Sequence, residues 1–142
     1  MRVNKRVRAR ELLMQMMFQM DCTGDFGESA RDRFIKDFFE DKAQLSYVYR
    51  AHAFVRDNKD ALDSKIEASS ENWKVSRMAR VDLSILRIAA AEIIYMNDIP
   101  DSVSANEAVE LAKTYGGDES PKFINGILGK LIRVKENERT LS

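Results

Sequence analysis

Five basic residues, Arg2, Lys5, Arg6, Arg8 and Arg10, stand near the N-terminus with no acid among them. Cations at that density suit the phosphates of a nucleic acid, and an aromatic beside them adds a face on which an unpaired base can stack. Such stacking is worth about 1–3 kcal/mol per base. Arg6, Arg10, Met14 and Phe18 follow one another at i, i+4 spacing, so on a helix they form one row that winds away from the main apolar stripe and sets cations beside an aromatic. A second set with the same chemistry, Tyr115, Lys122 and Phe123, surrounds a short acidic connector that begins Gly116-Gly117. Two simpler readings compete: a solvated basic terminus, and a Phe18 that packs under a neighbouring helix. Nothing in composition or spacing joins the two sets.

Other chemistries lack their residues. One histidine, His52, and one cysteine, Cys22, do not make a zinc centre or a disulfide framework. There is no Gly-rich phosphate loop after a strand, and no nucleophile with a base and an orienting partner. No catalytic residue, metal ligand or cofactor is therefore expected. His52 lies on an apolar stripe and is expected to be a half-buried packing residue with its ring nitrogens satisfied locally, and Cys22 a small buried or half-buried side chain. The net charge is zero, with 23 basic and 23 acidic residues, so any nucleic-acid surface is local.

The elements that must position these residues are helices. The chain has 142 residues, 44% of them hydrophobic, which suits one domain with a core of its own. No apolar run approaches a membrane span and no cleavable leader is readable, so a cytoplasmic location without membrane attachment is expected. Apolar spacing of period 3.6 and only two prolines predict an all-α fold. A first helix from about Asn4 buries Ala9, Leu13, Met16, Met17 and Met20. A second buries Ala30, Phe34, Ile35, Phe38 and Phe39, and a long third, with a break near Asn58, carries Leu45, Val48, His52, Val55, Leu62 and Ile66. After the polar break 69–72, Trp73 opens a short amphipathic turn. From Val81 a helix apolar nearly all round should be central, with Asp82 in its first turn and Arg87 and Glu92 paired or at an edge. Ser104 with Glu107 reads as a capping box, Gly116-Gly117 as a helix stop, and Ser120-Pro121 as the N-cap and first position of the last helix.

Several segments resemble the NusB family of bacterial transcription antitermination factors. They are Arg8-Ala9-Arg10-Glu11; Leu86-Arg87-Ile88-Ala89 with Glu92; Asn106-Glu107-Ala108-Val109-Glu110-Leu111-Ala112-Lys113; and Lys122-Phe123-Ile124-Asn125-Gly126-Ile127-Leu128. The resemblance runs from Arg2 to about Leu131. It implies a single all-helical domain of about seven helices in two small subbundles, about 1–70 and 71–135, with a charged tail 136–142. It also implies a non-enzymatic role: binding the boxA element of ribosomal RNA leader transcripts with the small-subunit ribosomal protein NusE, so that RNA polymerase reads through terminators.

Carried over residue by residue, the family's RNA surface falls on Lys5, Arg6, Arg10 and Phe18 and on Tyr115, Glu119 and Phe123, with Lys122 beside them from the basic–aromatic set. Asp82 becomes an acidic contact for the ribosomal protein and Arg87 a structural residue. Three positions depart from the family pattern: Val7 interrupts the basic segment, Phe18 stands for a usual Tyr, and Glu119 stands for a usual Asp. Asn106 and Asn125 are expected to hydrogen-bond inside the last helix pair, with Gly126 allowing close helix approach. Two other readings stay open. One is a helical module that forms a homodimer through the surplus apolar residues Met14 and Phe18; the other is the accessory RNA-binding domain of a ribosomal RNA methyltransferase, for which the length leaves no cofactor domain.

Overall fold

The computed structural model describes residues 4–71 and 73–141. Arg2 and Asn72 lie outside the described residues. Among those residues there are six α-helices: α1 (Lys5–Thr23), α2 (Glu28–Phe38), α3 (Leu45–Ser69), α4 (Arg80–Tyr95), α5 (Asp101–Tyr115) and α6 (Ser120–Leu141). Single 3-10 turns precede α3 and α4. Asn58 leaves helical geometry inside α3 (φ −126°, ψ 22°) while its side-chain Nδ2 donates to the Phe54 carbonyl, 2.9 Å, so α3 is bent where the break is expected. Counted on both sides of that bend, the helical segments are seven. The expected tail 136–142 is not a separate segment over its described part, because α6 continues to Leu141.

Asn4 caps α1, its side-chain oxygen accepting from the Arg6 amide at 2.7 Å, and Gly24 ends the helix in the left-handed region at φ 75°. The stripe Ala9, Leu13, Met16, Met17 and Met20 is buried. In α2, Phe34 and Ile35 reach the core and Phe39 packs partly against it, but Phe38 is 54% exposed, contrary to its place on the expected stripe. Phe38 is the last residue of α2, with no following turn to cover it, and its ring meets Phe34 in a tilted pair with centroids 4.6 Å apart. α4 is the axis of the fold: Leu83 to Ile93 are buried without interruption, and α1, α3, α5 and α6 all pack against it.

Burying α4 on every side places its charges inside, and each acquires partners. Glu92 receives both Arg10 Nε (3.0 Å) and Arg10 Nη2 (2.9 Å), the Tyr47 hydroxyl, and the Ser104 hydroxyl (2.8 Å). Four helices, α1, α3, α4 and α5, meet in that one network. A buried carboxylate is tolerated when its lone pairs are filled in this way. Burial disfavours the Arg10 charge, yet the Glu92 hydrogen bond and the nearby negative charges raise its pKa overall. Arg87, also buried, takes Asp63 in a two-pronged contact (2.9 and 2.8 Å) and Asp21 at 3.0 Å, which ties α4 to α3 and α1. It is structural, as expected.

Two expected caps are used differently. Ser104 lies inside α5, which begins three residues earlier after Pro100, and its hydroxyl serves Glu92 instead of an orphan amide. Ser120 stands in the first turn of α6, where its hydroxyl accepts from the Gly117 amide (3.0 Å) and donates to Asp82 (3.0 Å). His52 is fully buried, not half-buried: Nε2 lies 2.8 Å from the Phe26 carbonyl and Nδ1 is enclosed without a partner. Cys22 is exposed at the end of α1. Among the described residues no helix is long and apolar enough to cross a membrane.

Candidate nucleic-acid interface

The basic–aromatic row of α1 does not form one exposed face. Arg10 is 5% exposed and Met14 2%, because this side of α1 lies against Glu92 and the core, whereas Phe18 is 36% exposed. Arg6 is partly covered: its guanidinium sits 4.2 Å over the Tyr47 ring and its Nε donates to Gln44 at 2.6 Å. Lys5 is open, with only a long contact of 4.0 Å to Asp41. The solvent side of α1 is a different row, Arg8, Glu11, Gln15 and Phe18, spaced three, four and three residues apart. Arg8 is therefore the arginine that shares Phe18's face, and it is absent from the expected site. Its spacing to Phe18 was visible in the sequence; what hid it was that nothing marked Arg10 as the arginine Glu92 would take.

The connector between α5 and α6 comes to this face through one contact. The Tyr115 hydroxyl donates to Glu11 Oε2 at 2.6 Å, and Glu11 Oε1 lies 3.7 Å from Arg8 Nη1. The hydrogen bond to Glu11, followed by partial burial, raises the Tyr115 pKa, so the phenol stays neutral and keeps donating. Tyr115 is thereby held on the row that carries Arg8 and Phe18. Gly116 permits the tight exit from α5, since a Cβ there would lie 2.6 Å from Ser120 Cβ and 2.9 Å from the Ala112 carbonyl oxygen. The Ser120–Asp82 hydrogen bond then fixes the start of α6 against the start of α4.

Beyond the connector, Glu119 and Lys122 are exposed and Phe123 is half-buried, with its ring edge-on to Trp73 at 5.9 Å. The two aromatics that bracket the loop thus lean on different neighbours, Tyr115 on α1 and Phe123 on the segment after α3. Asp82, expected as a surface acid, is 7% exposed and turned inward to Ser120, with Oδ1 enclosed. Its place in the first turn of α4 faces the start of α6, which covers it. Asn106 and Asn125 are exposed, not bonded within the helix pair, and a Cβ on Gly126 would meet nothing within 4 Å. The close approach belongs to Gly116. Among the described residues no cluster of three metal-ligating side chains occurs.

An all-helical chain with cations and aromatics gathered where α1 meets the last helix pair is matched by one family over residues 7–133. The chain belongs to the NusB family. It is 47% identical over 124 residues to the transcription antitermination protein NusB of Alkaliphilus oremlandii, covering 87% of this chain and 90% of that protein. Clostridium botulinum NusB is 39% identical over 145 residues, covering 92% and 100%. Among solved structures, T. maritima NusB superposes with a TM-score of 0.78 at 29% identity, over 94% of this chain and 93% of that one. The antitermination factors NusB and NusE in complex with dsRNA include a chain with the same fold, TM-score 0.81 at 21% identity, over 92% and 99%. The NusB fold here is built around the buried Arg10–Glu92 network, and the surface left to solvent is the Arg8–Phe18 row with the connector beside it.

Proposed function

We propose that this NusB-family chain is a cytoplasmic, non-enzymatic transcription antitermination factor that binds single-stranded boxA RNA together with the ribosomal protein NusE, within an antitermination complex on RNA polymerase. The observation that carries the reading is the Tyr115–Glu11 hydrogen bond, which sets the connector against the α1 face that holds Arg8 and Phe18. Along that face Lys5 and Arg8 meet phosphates, with Arg6 at its edge over Tyr47, and Phe18 and Tyr115 offer surfaces to bases; Lys122, Phe123 and Glu119 extend the contact past the connector. Arg10 acts from beneath, by holding α1 on α4. Asp82 likewise supports the start of α4 instead of meeting the ribosomal protein directly. The single domain is read as two subbundles divided near residue 70, with the RNA surface at their junction. The titration that tests this uses boxA RNA and a scrambled RNA of equal length, with and without NusE. Selective binding that tightens with NusE is expected, and three phosphate contacts give a salt slope of about −2. Equal binding of both RNAs with NusE present rejects the reading.

A further inference from the structure

A groove of about 440 Å³ lies between α6 and the segment that follows α3, outside the face built on α1. Lys122, Gly126, Lys130 and Arg133 line it from one row of α6, at steps of four, four and three residues, and Trp73 and Phe123 supply its aromatic faces. Trp73 is 52% exposed although it touches Phe123 edge-on. Its backbone is held in place, since the Trp73 and Glu67 carbonyls each lie 2.9 Å from the Ser70 hydroxyl. Gly126 is the unexplained member. It is helical and exposed, its φ is not in the left-handed region, and an added Cβ would meet nothing within 4 Å, so neither backbone nor packing requires glycine. A glycine inside a helix lowers its stability relative to alanine. Its effect in the groove is to leave the floor flat between the aromatics and the cations.

We infer that this groove takes a nucleotide of the same RNA strand, beyond the stretch held between α1 and the connector, with its base on Trp73 over Gly126 and its phosphates on Lys130 and Arg133. The inference rests on the RNA-binding reading above and extends it through Lys122 and Phe123, which belong to both surfaces. Three cations outnumber the two carboxylates that line the groove, Glu71 and Glu119, which favours a polyanion. The alternative occupant, an amphipathic helix of a protein partner, needs a continuing apolar stripe, but among the described residues lining the groove Trp73 and Phe123 are the large apolar side chains not fully buried, whereas a nucleotide needs one flat face and nearby cations.

Trp73 is the chain's single tryptophan, so its emission reports on this groove alone. The full chain is titrated with an unlabelled boxA RNA and with the same RNA extended by several nucleotides at each end, following Trp emission, and binding is measured separately by competition. The extended RNA is expected to quench Trp73 saturably and to bind about 10-fold more tightly than the short one, within the range that one stacked base supplies. Gly126→Ala should raise the melting temperature yet lower affinity for the extended RNA several-fold, with the short RNA unaffected; Trp73→Leu should abolish the length effect. If both RNAs bind alike without quenching, the groove inference is overturned while the RNA-binding reading stands. If neither RNA binds even with NusE present, the reading falls and the inference with it. Quenching by NusE in the absence of RNA assigns the groove to the protein partner and also overturns the inference.

Discussion

Arg10 and Arg8 sit two residues apart in one basic segment and do opposite jobs. Arg10 meets Glu92 through two nitrogens inside the core, and removing it leaves the Glu92 charge buried with only the neutral Tyr47 and Ser104 hydroxyls to offset it. Arg10→Ala is therefore expected to lower unfolding stability by about 3–5 kcal/mol in urea titration. Its RNA affinity, corrected for the folded fraction, should change less. Arg8 is exposed and pairs only loosely with Glu11. Arg8→Ala should leave stability within about 0.5 kcal/mol and weaken RNA binding, with the salt slope about 0.7 shallower. If instead Arg10→Ala is stable and RNA-defective, the buried network has been misassigned. Tyr47 belongs to the same network; burial and the Glu92 charge push its phenol pKa well up, so it remains a donor through the neutral range.

At the scale of elements, the α5–α6 connector derives its shape from two small residues. Gly116 has an ordinary negative φ, so its glycine is required by space: a methyl group would overlap Ser120 and the Ala112 carbonyl. Gly116→Ala should cost about 1–3 kcal/mol by thermal unfolding, the usual range for overpacking, and should displace Tyr115 and Ser120 together. Ser120→Ala removes the hydroxyl that Asp82 accepts from and that the Gly117 amide donates to. A loss of about 1–3 kcal/mol follows from leaving the Asp82 carboxylate enclosed with no donor. RNA binding by either variant, compared with Phe18→Leu, separates damage to the connector from loss of a stacking face. Phe18→Leu should weaken binding without moving the melting temperature.

For the whole molecule, stability should depend on pH through His52. Burial lowers its pKa below the usual histidine value, the Phe26 hydrogen bond partly opposes this, and the nearby Arg31 and Arg56 charges lower it further against Glu28. The unfolded chain, with an ordinary histidine pKa of about 6.5, binds the proton first as pH falls. The His52 contribution is thus complete above about pH 6.5 and is lost progressively as pH falls toward the lower folded value. Urea midpoints at several pH values should show that decline in the native chain and a shallower one in His52→Gln. An unchanged slope would show that other groups carry it.

Much of this architecture was legible in the sequence. Helical periodicity, a first helix starting near Asn4, the break at Asn58 and an apolar-all-round central helix are local properties, each set within a turn or two by spacing and side-chain chemistry. The motifs that run through 106–113 and 122–128 pointed to the family, and the family match bears that out. Tertiary structure decided which face of each helix is which. Arg10 became a core residue, Asp82 an inward acceptor and Ser104 a partner of Glu92, because the group that claims each of them lies 82, 38 or 12 residues away on another helix. Such pairings have no periodic signature. The same holds for the surface: Tyr115 joins Arg8 and Phe18 only because Glu11 receives the Tyr115 hydroxyl across 104 residues of chain.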